Sequence, residues 1–274
     1  MTLLHFEFMR NALLAAALAS VACGIIGSYV VVRRLVSISG SIAHSAFGGI
    51  GLGYFFGVDP MSMVIPFSLV CAFGIGWISR KTKLPADTAI GIFWALGMAI
   101  GVALIGLTPG YAPDLFSYLF GNILTVPTSD LVIMSVLNLI MITLVVCFYR
   151  QFLAVAFDEE YAEAIGLNVN VLFFLLLALI ALTVVILIRV VGTILVIALL
   201  TLPAATAKQY VKRFDQMIFL STLISLFYTV TGLWLSYIFN FASGATIILF
   251  SSFFFLITAV IQRVRKILQK VKIK

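Results

Sequence analysis

Residues 169–188 read VNVLFFLLLALIALTVVILI, and after Arg189 the chain continues through 190–207 as VVGTILVIALLTLPAATA. The first run is 20 residues long and contains no charged side chain. A helix needs roughly 20 apolar residues to cross the hydrocarbon of a bilayer, and only an internally bonded backbone is tolerated there. The pair therefore reads as two spans, Val169–Ile188 and Val190–Ala207, separated by one arginine.

Working outward, the same pattern recurs. Further spans are expected at Asn11–Val32, Ile42–Val58, Met61–Ser79, Thr88–Leu107, Leu131–Phe148, Met217–Phe239 and Ala245–Ile261. The second of these is short and Gly-rich, Phe47-Gly-Gly-Ile-Gly-Leu-Gly53, so the total is eight or nine. Residues 112–130 are too broken for a span and suit a short interfacial or re-entrant helix. The expected fold is an all-α polytopic bundle forming one transmembrane domain over residues 1–274. Composition agrees: of 274 residues, 63% are hydrophobic and 10% charged. Soluble domains average about 45–50% apolar and about 25% charged, and one soluble core of this size could not hide the excess.

The net charge of +7 does not indicate nucleic acid. The Lys and Arg residues lie in short clusters between apolar blocks, the pattern that orients loops across a membrane. With the C-terminus cytoplasmic, 15 of the 17 basic residues fall inside, among them the tail 263–274, and Arg10 and Arg189 outside. Nine spans then put the N-terminus outside. Arg10 precedes an apolar run with no small-residue processing site, so no cleavable signal is expected. Cys23, Cys71 and Cys147 lie in apolar runs without metal-ligand spacing and read as buried hydrophobes.

Candidate chemistry is sparse. His44 lies in Ser37-Ile-Ser-Gly-Ser-Ile-Ala-His44, where Ser37, Ser41, His44 and Gly48 share a helical face. An intramembrane imidazole is a functional candidate and a good ligand for borderline metals. A histidine that only bonds a neighbouring helix fits the same spacing. Asp87, after Pro85, is a candidate cation ligand or simply a helix N-cap. Asp59 and Asp114 belong to the outer loops. Pro203 breaks a helix bond, and Thr201 and Thr206 can satisfy freed carbonyls, which suits either a moving pathway or plain packing. Ser45, Gly49 and Gly53 permit close helix approach. Residues 157–166, FDEEYAEAIG, hold four of the ten acidic residues. Asp158 can cap a short amphipathic helix and Gly166 can end it, with Tyr161, Ala164 and Ile165 as its apolar side. No Walker A loop is present: Arg80-Lys-Thr82 lacks the preceding glycine.

Several blocks, in order, resemble the permease subunits of bacterial manganese, zinc and iron ABC importers. They are Val30–Leu35 with Ile42–Ser45, Asp87–Gly91, Asp114–Leu124, Phe157–Leu167 and Val191–Ala207. The likeness runs from about residue 11 to 262. The Leu-Phe-Gly-Asn and Pro-Ala-Ala-Thr-Ala blocks are its most specific parts. It implies a homodimer in the bacterial inner membrane with two cytoplasmic ATPase subunits and an extracytoplasmic metal-binding protein. Asp158, Glu159, Glu160, Tyr161, Glu163 and Gly166 would form the helix that couples to the ATPase. His44 and Asp87 would face the transported zinc, manganese or iron, with Ser41, Asp114, Thr201, Pro203 and Thr206 along the pathway. No permanent cofactor and no catalytic residue is implied. The family motif has an aspartate four residues before the histidine, and this chain has Gly40 there. An ion-coupled carrier working without an ATPase is the competing reading; it is disfavoured because no internal repeat is visible.

Overall fold

The computed structural model describes residues 6–82, 84–109 and 115–272. These form helices and loops with no strand among the described residues. In chain order the helices are α1 (Glu7–Val32), α2 (Val36–Ser45), α3 (Phe47–Phe56), α4 (Pro60–Lys81) and α5 (Ala86–Leu107). A short α6 (Leu115–Phe120) and a 3-10 turn, Ile123–Thr125, lead to α7 (Thr128–Cys147). Then come α8 (Tyr149–Phe157), α9 (Glu159–Ala164), α10 (Val169–Ala207), α11 (Phe214–Phe239) and α12 (Ser243–Lys272).

Seven helical stretches are long and apolar enough to cross a membrane: α1, α4, α5, α7, Val169–Ile188, α11 and most of α12. The remaining two expected spans take other forms. Ile42–Val58 is not one helix, because the chain breaks at Ala46 between α2 and α3, each 10 residues long. Val190–Ala207 is the return limb of α10, whose regular part is Leu195–Ala207. Residues 115–120 form a six-residue helix, as the broken pattern there indicates.

The bundle has two ends. One carries Arg33, Arg80 and Glu159, gathered by ion pairs, together with Asn170 at the start of α10. At the other, Asn11 donates to the Val126 carbonyl at 3.3 Å and the Ile123 amide donates to Ser243 Oγ at 3.2 Å. We refer to the first as the basic end.

α10 leaves the basic end, reaches the other and turns back. The turn is at Gly192, with φ 74° and ψ 165° inside an otherwise helical run. A side chain there would be strained, and its Cβ would sit 2.3 Å from the Leu119 carbonyl oxygen. Gly121 (φ 73°) faces it: a Cβ at this position would lie 2.3 Å from the Val191 carbonyl carbon. Two backbones thus touch where side chains would keep them apart. The return limb then passes Gly27 of α1 at Leu200 and Ala204, close to the Arg33 end of that helix.

Pro203 lies inside the return limb without ending it. Thr201 Oγ1 donates to Ile197 O at 2.7 Å and Thr206 Oγ1 to Leu202 O at 2.8 Å. Neither serves Leu199, the residue four before Pro203. The expectation that these threonines repair the proline break is corrected accordingly: they bond their own i−4 carbonyls, and the sharp bend lies at glycine.

The core is built from small residues on α1: Ala12, Ala15, Ala16, Ala19, Ala22 and Cys23 are fully buried against α10 and α11. Cys71 is buried too, whereas Cys147 is exposed at the end of α7, so the expectation of three buried thiols holds for two.

Candidate translocation site

α2 is held to α5 by a side chain to main chain bond: Ser41 Oγ donates to Ile90 O at 2.8 Å. One turn further on, the His44 imidazole stacks on the Trp94 indole of α5, with centroids 4.2 Å apart and planes 8° from parallel. His44 is 9% exposed and its Nδ1 is buried without a hydrogen-bond partner. Trp94 is 38% exposed, so the stacked pair lies at the edge of the bundle with the indole outermost. An unpartnered buried nitrogen costs about 1–3 kcal/mol. A cation or a donor arriving at this edge would remove that cost.

Where a carboxylate would accompany His44, the space is taken. A Cβ built on Gly40 would lie 2.5 Å from Ile197 Cδ1 of the return limb. An apolar methyl group, not an oxygen, therefore stands against Gly40, one helical turn before His44. Asp87 does not fill the vacancy. It lies exposed in the first turn of α5, seven residues before Trp94, which is about 10 Å along a helix axis. Nor is it the N-cap, a position occupied by Pro85. Among the described residues no group of three His, Cys, Asp or Glu could hold a metal. Asp114 lies outside the described residues.

The other candidates are placed as follows. Asp59 caps α4, accepting from the Ser62 amide at 3.3 Å. Thr206 Oγ1 also meets Tyr228 Oη at 3.0 Å, tying the return limb to α11. Gly49 and Gly53 pack on α4: an added Cβ would come within 2.7 Å of Val64 Cα and 2.5 Å of Pro60 Cα. The acidic segment forms α9, with Asp158 Oδ1 accepting from the Tyr161 amide at 3.0 Å and Gly166 (φ 84°) turning the chain out. Its exposed side presents Tyr161 and Ala164, with Ile165 at its C-cap and Glu160 and Glu163 beside them; Phe157 is exposed too, but it ends α8 and the extended Asp158 separates it from α9. Glu159 faces the other way, into the bundle, where it pairs with Arg33 and with Arg80 at 3.0 Å.

Sequence reasoning missed Trp94, the two arginines and Gly192. It also passed over Asp130, 5% exposed in the first turn of α7. A tryptophan two helical turns after Asp87 and arginines at helix ends carried no distinguishing pattern. Gly192, inside an apolar run, could have been read as a turn.

A bundle of membrane-length helices with one broken helix, a reversed helix and a short exposed helix at its basic end defines a polytopic membrane protein. The chain belongs to the ABC 3 transport family, whose family model matches residues 5–262. It is 50% identical over 260 residues to an uncharacterized membrane protein of Synechocystis sp., covering 95% of this chain and 92% of that one. It is 36% identical over 255 residues to the manganese transport system membrane protein MntC of Listeria monocytogenes, covering 93% and 91%. Among solved structures, PsaBC from Streptococcus pneumoniae in complex with Fab matches with a TM-score of 0.84 at 37% identity, covering 92% of this chain and 91% of that one.

Proposed function

We propose that this chain is the membrane-spanning subunit of an ATP-binding cassette importer that moves a divalent metal ion into the cytoplasm by alternating access. The observation that supports this most strongly is α9. It is an exposed amphipathic helix, capped and terminated by its own residues, at the basic end of a chain with no nucleotide motif. Basic loops stay on the cytoplasmic side, so α9 faces the compartment that holds ATP. Tyr161, Ala164 and Ile165 would enter a groove on a separate ATPase, with Glu160 and Glu163 at the rim. A second copy of the chain and an extracytoplasmic metal-binding protein complete the assembly in this reading. His44 would meet the ion in passing, with Ser41 holding α2 in place and the return limb from Thr201 to Thr206 beside it.

Manganese is the first metal to test, because a relative of nearly the same length is named for its transport. One observation favours zinc instead. A lone imidazole with Gly40 in place of a carboxylate one turn earlier offers no hard oxygen ligand, and borderline zinc accepts nitrogen better than manganese does. The experiment is uptake of manganese, zinc and iron by the chain reconstituted with its ATPase and binding protein, with metal content measured directly. ATP-dependent uptake of any of these supports the reading. Uptake that needs no ATPase and follows an ion gradient overturns it in favour of a secondary carrier.

A further inference from the structure

The acidic residues of the α9 segment divide by direction. Asp158, Glu160 and Glu163 are exposed, while Glu159, its side chain 38% exposed, reaches back to the bundle. Its Oε1 accepts from a guanidinium nitrogen of Arg33 and, at 3.0 Å, from one of Arg80. Each arginine is anchored a second time. Arg33 Nη1 donates to the Val155 carbonyl of α8, and Arg80 Nη1 donates to Asn170 Oδ1 at 3.0 Å. The Arg80 guanidinium also lies 4.0 Å over the Phe173 ring. The two arginine side chains are only 12% and 20% exposed.

What these arginines lead into gives the arrangement its meaning. Arg33 caps the C-terminal end of α1, and Arg34 (φ 58°) turns the chain at once into α2, which carries His44. Arg80 is in the last turn of α4, and a short link follows into α5, which carries Trp94. One carboxylate on α9 therefore holds the two chain segments whose helices bear the stacked rings. Without that carboxylate, two half-buried cations would face each other with no shared counter-charge, a costly arrangement.

We propose that Glu159 is a positioning residue that carries displacement of α9 into the α1–α2 and α4–α5 junctions and so sets the separation of His44 and Trp94. This rests on the reading of α9 as the ATPase contact. In it the outward acidic residues dock, and the inward one relays.

The test uses the complete complex in proteoliposomes, with ATP hydrolysis, metal uptake and Trp94 emission measured together. Trp77→Phe and Trp234→Phe leave Trp94 as this chain's single tryptophan, and with the tryptophans of the partner subunits also replaced it is the reporter, whose emission is sensitive to the stacked imidazole. Glu159→Gln is expected to keep the ATPase subunit bound and hydrolysing ATP. Metal moved per ATP falls at least about tenfold, and the ATP-dependent change in Trp94 emission disappears. Glu159→Asp, which keeps the charge, restores both. The proposal is overturned if Glu159→Gln retains the original ratio and emission change, if Glu159→Asp behaves no better than Glu159→Gln, or if Glu159→Gln sheds the ATPase subunit. The last result would make Glu159 part of the docking surface. Failure of the unsubstituted complex to move metal with ATP would instead overturn the transport reading itself.

Discussion

His44 has one ring face covered by Trp94 and one buried nitrogen unbonded, and those two facts define what it can do. If the ion passes here, His44→Ala lowers uptake at least about tenfold while the complex still assembles. Unchanged uptake across zinc, manganese and iron would remove the residue from the pathway. Gly40 supports a second prediction. Gly40→Asp forces a side chain into Ile197, and overpacking costs about 1–3 kcal/mol, so thermal stability falls. Adding Ile197→Ala recovers it and shifts uptake towards manganese, because an oxygen ligand now stands beside the imidazole. Comparison of melting temperature and metal selectivity for the single and double variants checks both parts. At this scale the sequence revealed the histidine, because an ionisable group in an apolar run is conspicuous. It did not reveal Trp94 or Ile197, because each looks like any other apolar residue until the tertiary packing brings it alongside.

Among the elements, α10 departs most from expectation. Its two apolar runs were legible as two crossings; the first, Val169–Ile188, is of membrane length, and the second is a shorter return limb, Leu195–Ala207. The reversal between them was expected at Arg189 and is found three residues on, at Gly192, while Pro203, read as breaking a helix bond, leaves the return limb helical. Proline inside a helix removes one bond and often leaves the helix running, whereas a glycine at φ 74° permits a reversal that no L side chain adopts readily. A single glycine in an apolar run signals either a turn or tight packing, so periodicity alone could not decide between them. Gly192→Ala is expected to destabilise by more than about 1 kcal/mol, since it adds backbone strain to a clash with the Leu119 carbonyl. Pro203→Ala is expected to leave folding intact. Detergent melting curves of the two variants distinguish the hinge from the bystander. The acidic segment was legible in detail, since Asp158 caps α9 and Gly166 ends it. Which carboxylate faced inward was not, because a six-residue helix has too few turns for a pattern to emerge. Reversing the charge of Glu160 and Glu163 together is expected to abolish co-purification of the ATPase, a loss read directly on a pull-down.

For the whole molecule, sidedness carries the functional reading. Alternating crossings would put 15 of the 17 basic residues on one side, and the ion pairs of Arg33, Arg80 and Glu159 gather three charged residues at that end of the bundle. In a background free of native cysteines, Lys212→Cys should react with an impermeant thiol reagent only from the cytoplasmic side. Asn240→Cys, at the far end of α11, should react only from outside. The reverse pattern would invert the topology and remove α9 from the ATPase. Span number was legible because hydrocarbon imposes a length on each apolar run. The break at Ala46 was not, because α2 and α3 together carry enough apolar residues to pass for one short span.

α12 is 30 residues long, about 45 Å of helix, while the hydrocarbon layer is about 30 Å thick. The surplus of about 15 Å extends past the hydrocarbon length at the basic end and carries the exposed Arg263 and Arg265. A helix that outruns the hydrocarbon and ends in arginines would resist being drawn deeper into an anionic bilayer, so this end of α12 would fix the depth at which the bundle sits.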